Sequence, residues 1–181
     1  MSWGATIKGV EGIAPEMQEA LREGIRTGME KLGIKGAEMV QENIRTPYGD
    51  LPPAVAFGNL AGSIISTQVS DPGKQGVTIG VGTQLGASAY AAPVETGARP
   101  HMPPASALVA WVQKKFQITD EKQALSVAFA VAKKISKRGT RGHDMFSRAL
   151  AQLEPLAVPA LESSIAQAFL RHGFLPLGGE A

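Results

Sequence analysis

The sequence predicts a single α+β domain over residues 1–181. It expects a small antiparallel sheet, a hairpin plus an edge strand, packed by a long N-terminal helix and C-terminal helices. Three observations predict this. Apolar residues recur at helical spacing from Ile13 to Ile44. Two short alternating runs flank Asp71-Pro72-Gly73. Beyond Pro104 the spacing is helical again.

Met1 to Val10 reads as a short strand or arm anchored by Trp3 and Ile7. Ile13, Met17, Leu21, Ile25 and Met29 then recur every four residues, and Leu32, Val40 and Ile44 continue the stripe. One long amphipathic helix explains that spacing. Gly33 and Gly36 are expected to kink it, since a mid-helix glycine costs roughly 1 kcal/mol against alanine. Pro47 stops it, because the residue before a proline avoids the α region. Thr46 to Asn59 is a loop rich in proline and glycine.

Ile65, Thr67 and Val69 alternate with polar residues, as do Val77, Ile79 and Val81 after the turn. Asp71-Pro72-Gly73 supplies that turn, with proline presetting φ and glycine supplying positive φ. A third strand is expected near Ser88–Glu95. Pro93 cannot donate to a ladder, which puts that strand at an edge. Pro103 and Pro104 open the next helix, with Leu108, Trp111, Val112 and Phe116 as its buried stripe. Thr119 reads as the N-cap of another helix, whose apolar face is Leu125, Ala128, Phe129, Ala132 and Ile135. Gly139 is its C′ residue. Asp144 is expected to cap a short helix that Pro155 and Pro159 interrupt. A last helix carries Leu161, Ile165 and Phe169 to Gly173, and residues 174–181 read as a flexible tail.

Composition excludes several classes. Nearly half the residues are hydrophobic (44%) and there is no cysteine, so the chain reads as globular without disulfides or thiolate metal sites. Met1 to Val10 lacks a charged start followed by an apolar run, so no signal peptide is expected. No apolar stretch reaches the roughly 18 residues of a membrane span, and no membrane partner is expected. His101, His143 and His172 have no His or carboxylate at i+3 or i+4 on one helix, so no metal and no cofactor is expected. Gly80, Gly82 and Gly86 do not fit a dinucleotide loop, and Gly73-Lys74-Gln75-Gly76 does not fit a phosphate loop. There is no nucleophile elbow. Glu95, Arg99 and His101 read as a hydrogen-bonded or interface cluster rather than a catalytic one, so the chain is read as not an enzyme.

Charge is uneven. Residues 101–150 carry nine Lys/Arg against three Asp/Glu, while the whole chain is only +2. Lys133, Lys134, Lys137, Arg138 and Arg141 form a basic run. Such a run neutralises phosphates, yet it has no interleaved aromatic for base stacking. Cations favoured at a solvated helix C-terminus are the preferred explanation of the run.

The segment from Tyr90 to Pro104 resembles the tail-completion, or neck, proteins of long-tailed double-stranded-DNA phages, similar to the lambda minor tail protein Z type. Its Tyr-Ala start, Val94-Glu95-Thr96-Gly97 and proline-rich lead into a helix carry the likeness. Three other segments agree: the long first helix, Gly58 to Ile64, and Lys134-Ile135 with Arg138-Gly139-Thr140, Phe146 and Ala149-Leu150. Thr96 and Ala98 depart from the family's usual aromatic and threonine. The resemblance implies a structural virion protein at the head–tail junction. It would form a homo-oligomeric ring, by family pattern a hexamer, that completes or caps the tail and leaves a DNA passage. Terminator and connector roles are both compatible. Other neck and tail-tube proteins are the implied partners, with non-specific proximity to phage DNA. The implied location is the virion neck, assembled in the host cytoplasm. On this reading Glu95, Arg99, His101, Lys137, Arg138 and Arg141 are the candidate subunit-interface residues. The competing reading is a basic, nucleic-acid-associated accessory protein.

Overall fold

The computed structural model describes residues 2–6, 12–54, 59–69, 76–84 and 88–174. The Asp71-Pro72-Gly73 turn, Ile7, Gly58, Gly86 and residues 175–181 lie outside the described residues. The elements run β1 (Ser2–Thr6), α1 (Pro15–Arg45), α2 (Asn59–Ser63), β2 (Ile64–Val69), β3 (Gly76–Thr83) and α3 (Ser88–Thr96). They continue as β4 (Gly97–Ala98), α4 (Ala105–Phe116), α5 (Glu121–Arg138), β5 (Thr140–Arg141) and α6 (Met145–Arg171). The class is α+β, with a long first helix and a small antiparallel sheet. Residues 1–181, read from sequence as one domain, group into two compact units.

The first unit comprises residues 1–39, 65–82 and 148–181. Its sheet has the order β1-β3-β2, and β1 pairs antiparallel with β3, Trp3 opposite Ile79 and Gly4 opposite Thr78. The third strand is therefore the N-terminal one. The segment expected to supply an edge strand, Ser88–Glu95, is helical in α3. Ser88, Ala89, Ala91 and Ala92 lack the β-branched, alternating pattern a strand needs, and alanine has the best helix propensity. Pro93 sits inside that helix.

Ile25, Met29 and Leu32 of α1 pack with Ile79 of β3 and with Leu153 and Ala157 of α6. The helices meet through glycine. A Cβ at Gly24 would lie 2.5 Å from the Ile165 Cα, and one at Gly28 would lie 2.9 Å from a Leu161 methyl. Gly33 likewise admits Ile79 and Ser66, whose Cβ would be 3.2 Å away. α1 runs through Gly33 and Gly36 as one helix of 31 residues. The glycine cost in helix propensity is offset here by close packing, because a missing Cβ lets a neighbouring element approach. Ser66, not Ile65 or Thr67, is the β2 side chain against Gly33.

The interruption expected at Pro155 and Pro159 is also corrected. α6 is one helix of 27 residues with both prolines inside. An interior proline costs about 3 kcal/mol by removing an N–H and crowding the carbonyl four residues back. Pro155, Pro159 and Ala151 are all exposed, so the freed carbonyls lie on the solvent side, where water satisfies them. Buried Leu153, Ala157 and Ala168 on the opposite side hold the helix together. Glu23 of α1 ties the far end: Arg171 donates to it at 2.9 Å and His172 at 2.8 Å. These bonds, the His172 one first, hold the Glu23 carboxyl below its ordinary 4.5. A folded-state value lowered in this way contributes stability above the unfolded value, and that stability is lost as pH falls through the folded one. The stability gap between wild type and Glu23→Gln is therefore expected at pH 6 and should narrow progressively as pH falls below the carboxyl's ordinary 4.5 in urea titrations.

The second unit comprises residues 40–64 and 83–147. The loop after α1 turns tightly, with Tyr48 and Leu51 exchanging backbone hydrogen bonds of 3.0 and 2.9 Å around Gly49. Helices α4 and α5 form a hairpin over Val112, Ala124 and Ala128, flanked by Leu108, Val109 and Trp111. The N-cap of α5 is Asp120, not Thr119. Its carboxylate accepts from the Gln123 N–H at 2.7 Å, and its extended backbone directly precedes the first helical residue. The buried face of α5 is also corrected. Ala124, Ala128 and Ala132 are fully buried, whereas Leu125 and Phe129 are exposed. Alanine permits the close helix–helix approach that larger side chains would block.

Candidate functional site

The Tyr90–Pro104 stretch and the Arg138–Phe146 stretch are some forty residues apart in sequence. The structure joins them into one clasp at the start of α6. Gly97 leaves α3 at φ +79°, and β4 then pairs antiparallel with β5, Gly97 opposite Arg141 and Ala98 opposite Thr140. Thr140 Oγ1 accepts from the Ala98 N–H at 2.9 Å. The His143 N–H donates to the Val94 carbonyl at 2.8 Å, and the Asp144 N–H to that of Glu95 at 3.1 Å.

Three glycines permit this approach. A Cβ at Gly97 would meet the Thr140 carbonyl, one at Gly139 the Ala98 carbonyl, and one at Gly142 the Glu95 carbonyl. Gly139 closes α5 at φ +68°, ψ −158°, with its N–H donating to the Ile135 carbonyl. That conformation is essentially restricted to glycine.

The Glu95 carboxylate sits at the N-terminus of α6. Oε2 accepts from the Phe146 N–H at 2.8 Å. Oε1 accepts from the Ser147 N–H at 3.0 Å and from the Ser147 hydroxyl at 2.7 Å. The first N–H groups of a helix lack partners within it, and the helix dipole there favours a negative charge. The capping role expected of Asp144 thus belongs to Glu95, supplied from another segment. Asp144 itself takes the left-handed region at φ 49°, which Asp tolerates better than most residues. From behind, buried Asn43 donates to the Met145 carbonyl at 3.1 Å.

The six residues expected at a subunit interface divide. Glu95 is engaged within the chain. His101 is exposed and donates from Nδ1 to the Arg99 carbonyl at 2.9 Å. Among the described residues no ion pair joins Glu95 to Arg99 or His101, so these three form no charge cluster. Arg141 bonds Asp50 at 2.5 Å, and both side chains are largely exposed. That hydrogen bond, with one from its own backbone, holds the Asp50 carboxyl below its usual range. Lys137 and Arg138 line a shallow depression of about 310 Å³ together with Lys133 and Lys134. Among the described residues, no group of three or more His, Asp or Glu is placed to hold a metal ion, and no helix is long and apolar enough to cross a membrane.

Sequence reasoning missed two features. One is the outward position of Leu125 and Phe129. The alanine ridge 124-128-132, one residue out of phase with the large side chains, was the signal that could have shown it. The other is Glu95 as a cap, which no local spacing reveals because its donors lie 51 and 52 residues away. Compared with known proteins, the chain matches no family model, no curated protein and no solved structure.

Proposed function

We propose that this chain is a non-catalytic assembly subunit of the phage tail-completion type, working as a homo-oligomeric ring at the head–tail junction. The observation that carries this reading is the clasp. The Val-Glu-x-Gly segment and the Arg-Gly-Thr turn, each part of the family resemblance, are hydrogen-bonded to each other. The carboxylate that sequence alone could have assigned to chemistry serves as a helix cap. A stiff, internally bonded segment with Pro100, Pro103 and Pro104 loses little entropy on assembly. Charged residues around it, Arg99 and His101 among them, would then set register more than affinity.

A second reading, a nucleic-acid-associated accessory protein, is favoured by the depression lined with Lys133, Lys134, Lys137 and Arg138. Native mass measured with a salt series of DNA binding separates the two. The assembly reading expects a closed oligomer with little DNA affinity. A monomer whose micromolar DNA complex weakens steeply with salt would replace it with the second reading. Particles lacking the protein should accumulate as unattached heads and tails.

A further inference from the structure

Two helices present exposed ridges with no partner on the described surface, and their chemistry is complementary. On α5 the i, i+4 row Leu125, Phe129, Lys133 and Lys137 faces outward. Leu125 is 46% and Phe129 57% exposed. On α6 the equivalent row is Leu150, Glu154, Val158 and Glu162, all exposed, with Val158 at 62%. Between Leu150 and Leu170 the only charged residues are Glu154 and Glu162. One ridge is therefore apolar and basic, the other apolar and acidic.

We propose that the α5 ridge of one copy of this chain receives the α6 ridge of a second copy. Rows of i, i+4 side chains interdigitate in the commonest mode of helix packing. With the two ridges antiparallel, Phe129 would lie against Val158 and Lys133 would face Glu154. Large apolar side chains left exposed and rimmed by charge, with Phe129 and Val158 more than half exposed, mark a surface that another protein covers. The occupant is a second copy because the chain itself carries the matching ridge. The two patches differ, so the contact is heterologous, the kind that builds rings or filaments rather than two-fold dimers. This inference rests on the assembly reading and names the surfaces it would use.

Charge reversal tests it. The variants Lys133→Glu/Lys137→Glu and Glu154→Lys/Glu162→Lys change exposed positions, so circular dichroism should match the wild type. By sedimentation, each variant alone is expected to self-associate at least about tenfold more weakly than wild type. An equimolar mixture should regain the wild-type mass, since each altered ridge meets its complement on the other variant. Wild-type association that neither double variant weakens, or a mixture that fails to reassociate, overturns the ridge pairing and leaves the assembly reading standing. A wild-type protein that is monomeric yet still joins heads to tails also overturns the pairing alone. A monomer that does neither removes both. Loss of DNA binding rather than of self-association in Lys133→Glu/Lys137→Glu would instead give the α5 ridge to nucleic acid, against the proposal.

Discussion

Replacing Gly139 with alanine is expected to destabilise the fold by about 3 kcal/mol or more. Its backbone lies at φ +68°, ψ −158°, a region that a Cβ disfavours by about 1–3 kcal/mol. The new methyl would also collide with the Ala98 carbonyl and lie 3.0 Å from the Arg99 carbonyl carbon. These are backbone atoms, so no side-chain rotation relieves the clash. The clasp must open, and the cap on α6 opens with it. Gly62→Ala is the control. Nothing lies within 4 Å of a Cβ there, and a glycine-to-alanine change at a compatible site is neutral or stabilising by up to about 1 kcal/mol. Urea unfolding midpoints of the two variants measure the contrast. Equal midpoints would mean that β4 and β5 do not approach as described.

Glu95→Ala should cost about 2 kcal/mol. It removes the acceptor for two helix N–H groups and one hydroxyl, and the charge that complements the helix dipole. Bonds to an ionised acceptor are roughly twice as strong as neutral ones. Glu95→Gln keeps a carbonyl oxygen but loses the charge, so its cost should be smaller, about 1 kcal/mol. The expected order of unfolding midpoints is wild type, then Gln, then Ala, with unchanged denaturant slope. An enzyme would behave differently: the Gln variant would lose turnover and unfold with the wild type. That outcome would return Glu95 to chemistry and remove the main support for the assembly reading.

Much of the helical framework was legible. The four-residue stripe from Met17 to Ile44 is long enough for its period to be unambiguous, and α1 spans it. The alternation around Ile79 marks β3, where Ile79 and Val81 are buried. Pro104 and Gly139 bound their helices because proline and glycine act through local backbone geometry. Two of the failures fell where distant contacts outweigh local preference. Pro155 and Pro159 break a helix by local rules, yet packing along Leu153 and Ala157 carries α6 through them. Leu125 and Phe129 look like a core face until Ala124 and Ala128 are seen to take the place against α4.

The candidate site divides the same way. Sequence alone determined that Gly97 and Gly139 stand in short segments with turn chemistry, because residue type and spacing suffice for that. Only the tertiary structure decided that these segments meet, that Glu95 caps a helix beginning 50 residues later, and that Arg141 turns to Asp50. A capping bond depends on where two chain segments are brought together in space. Sequence separation carries no record of that until the fold closes the loop between them.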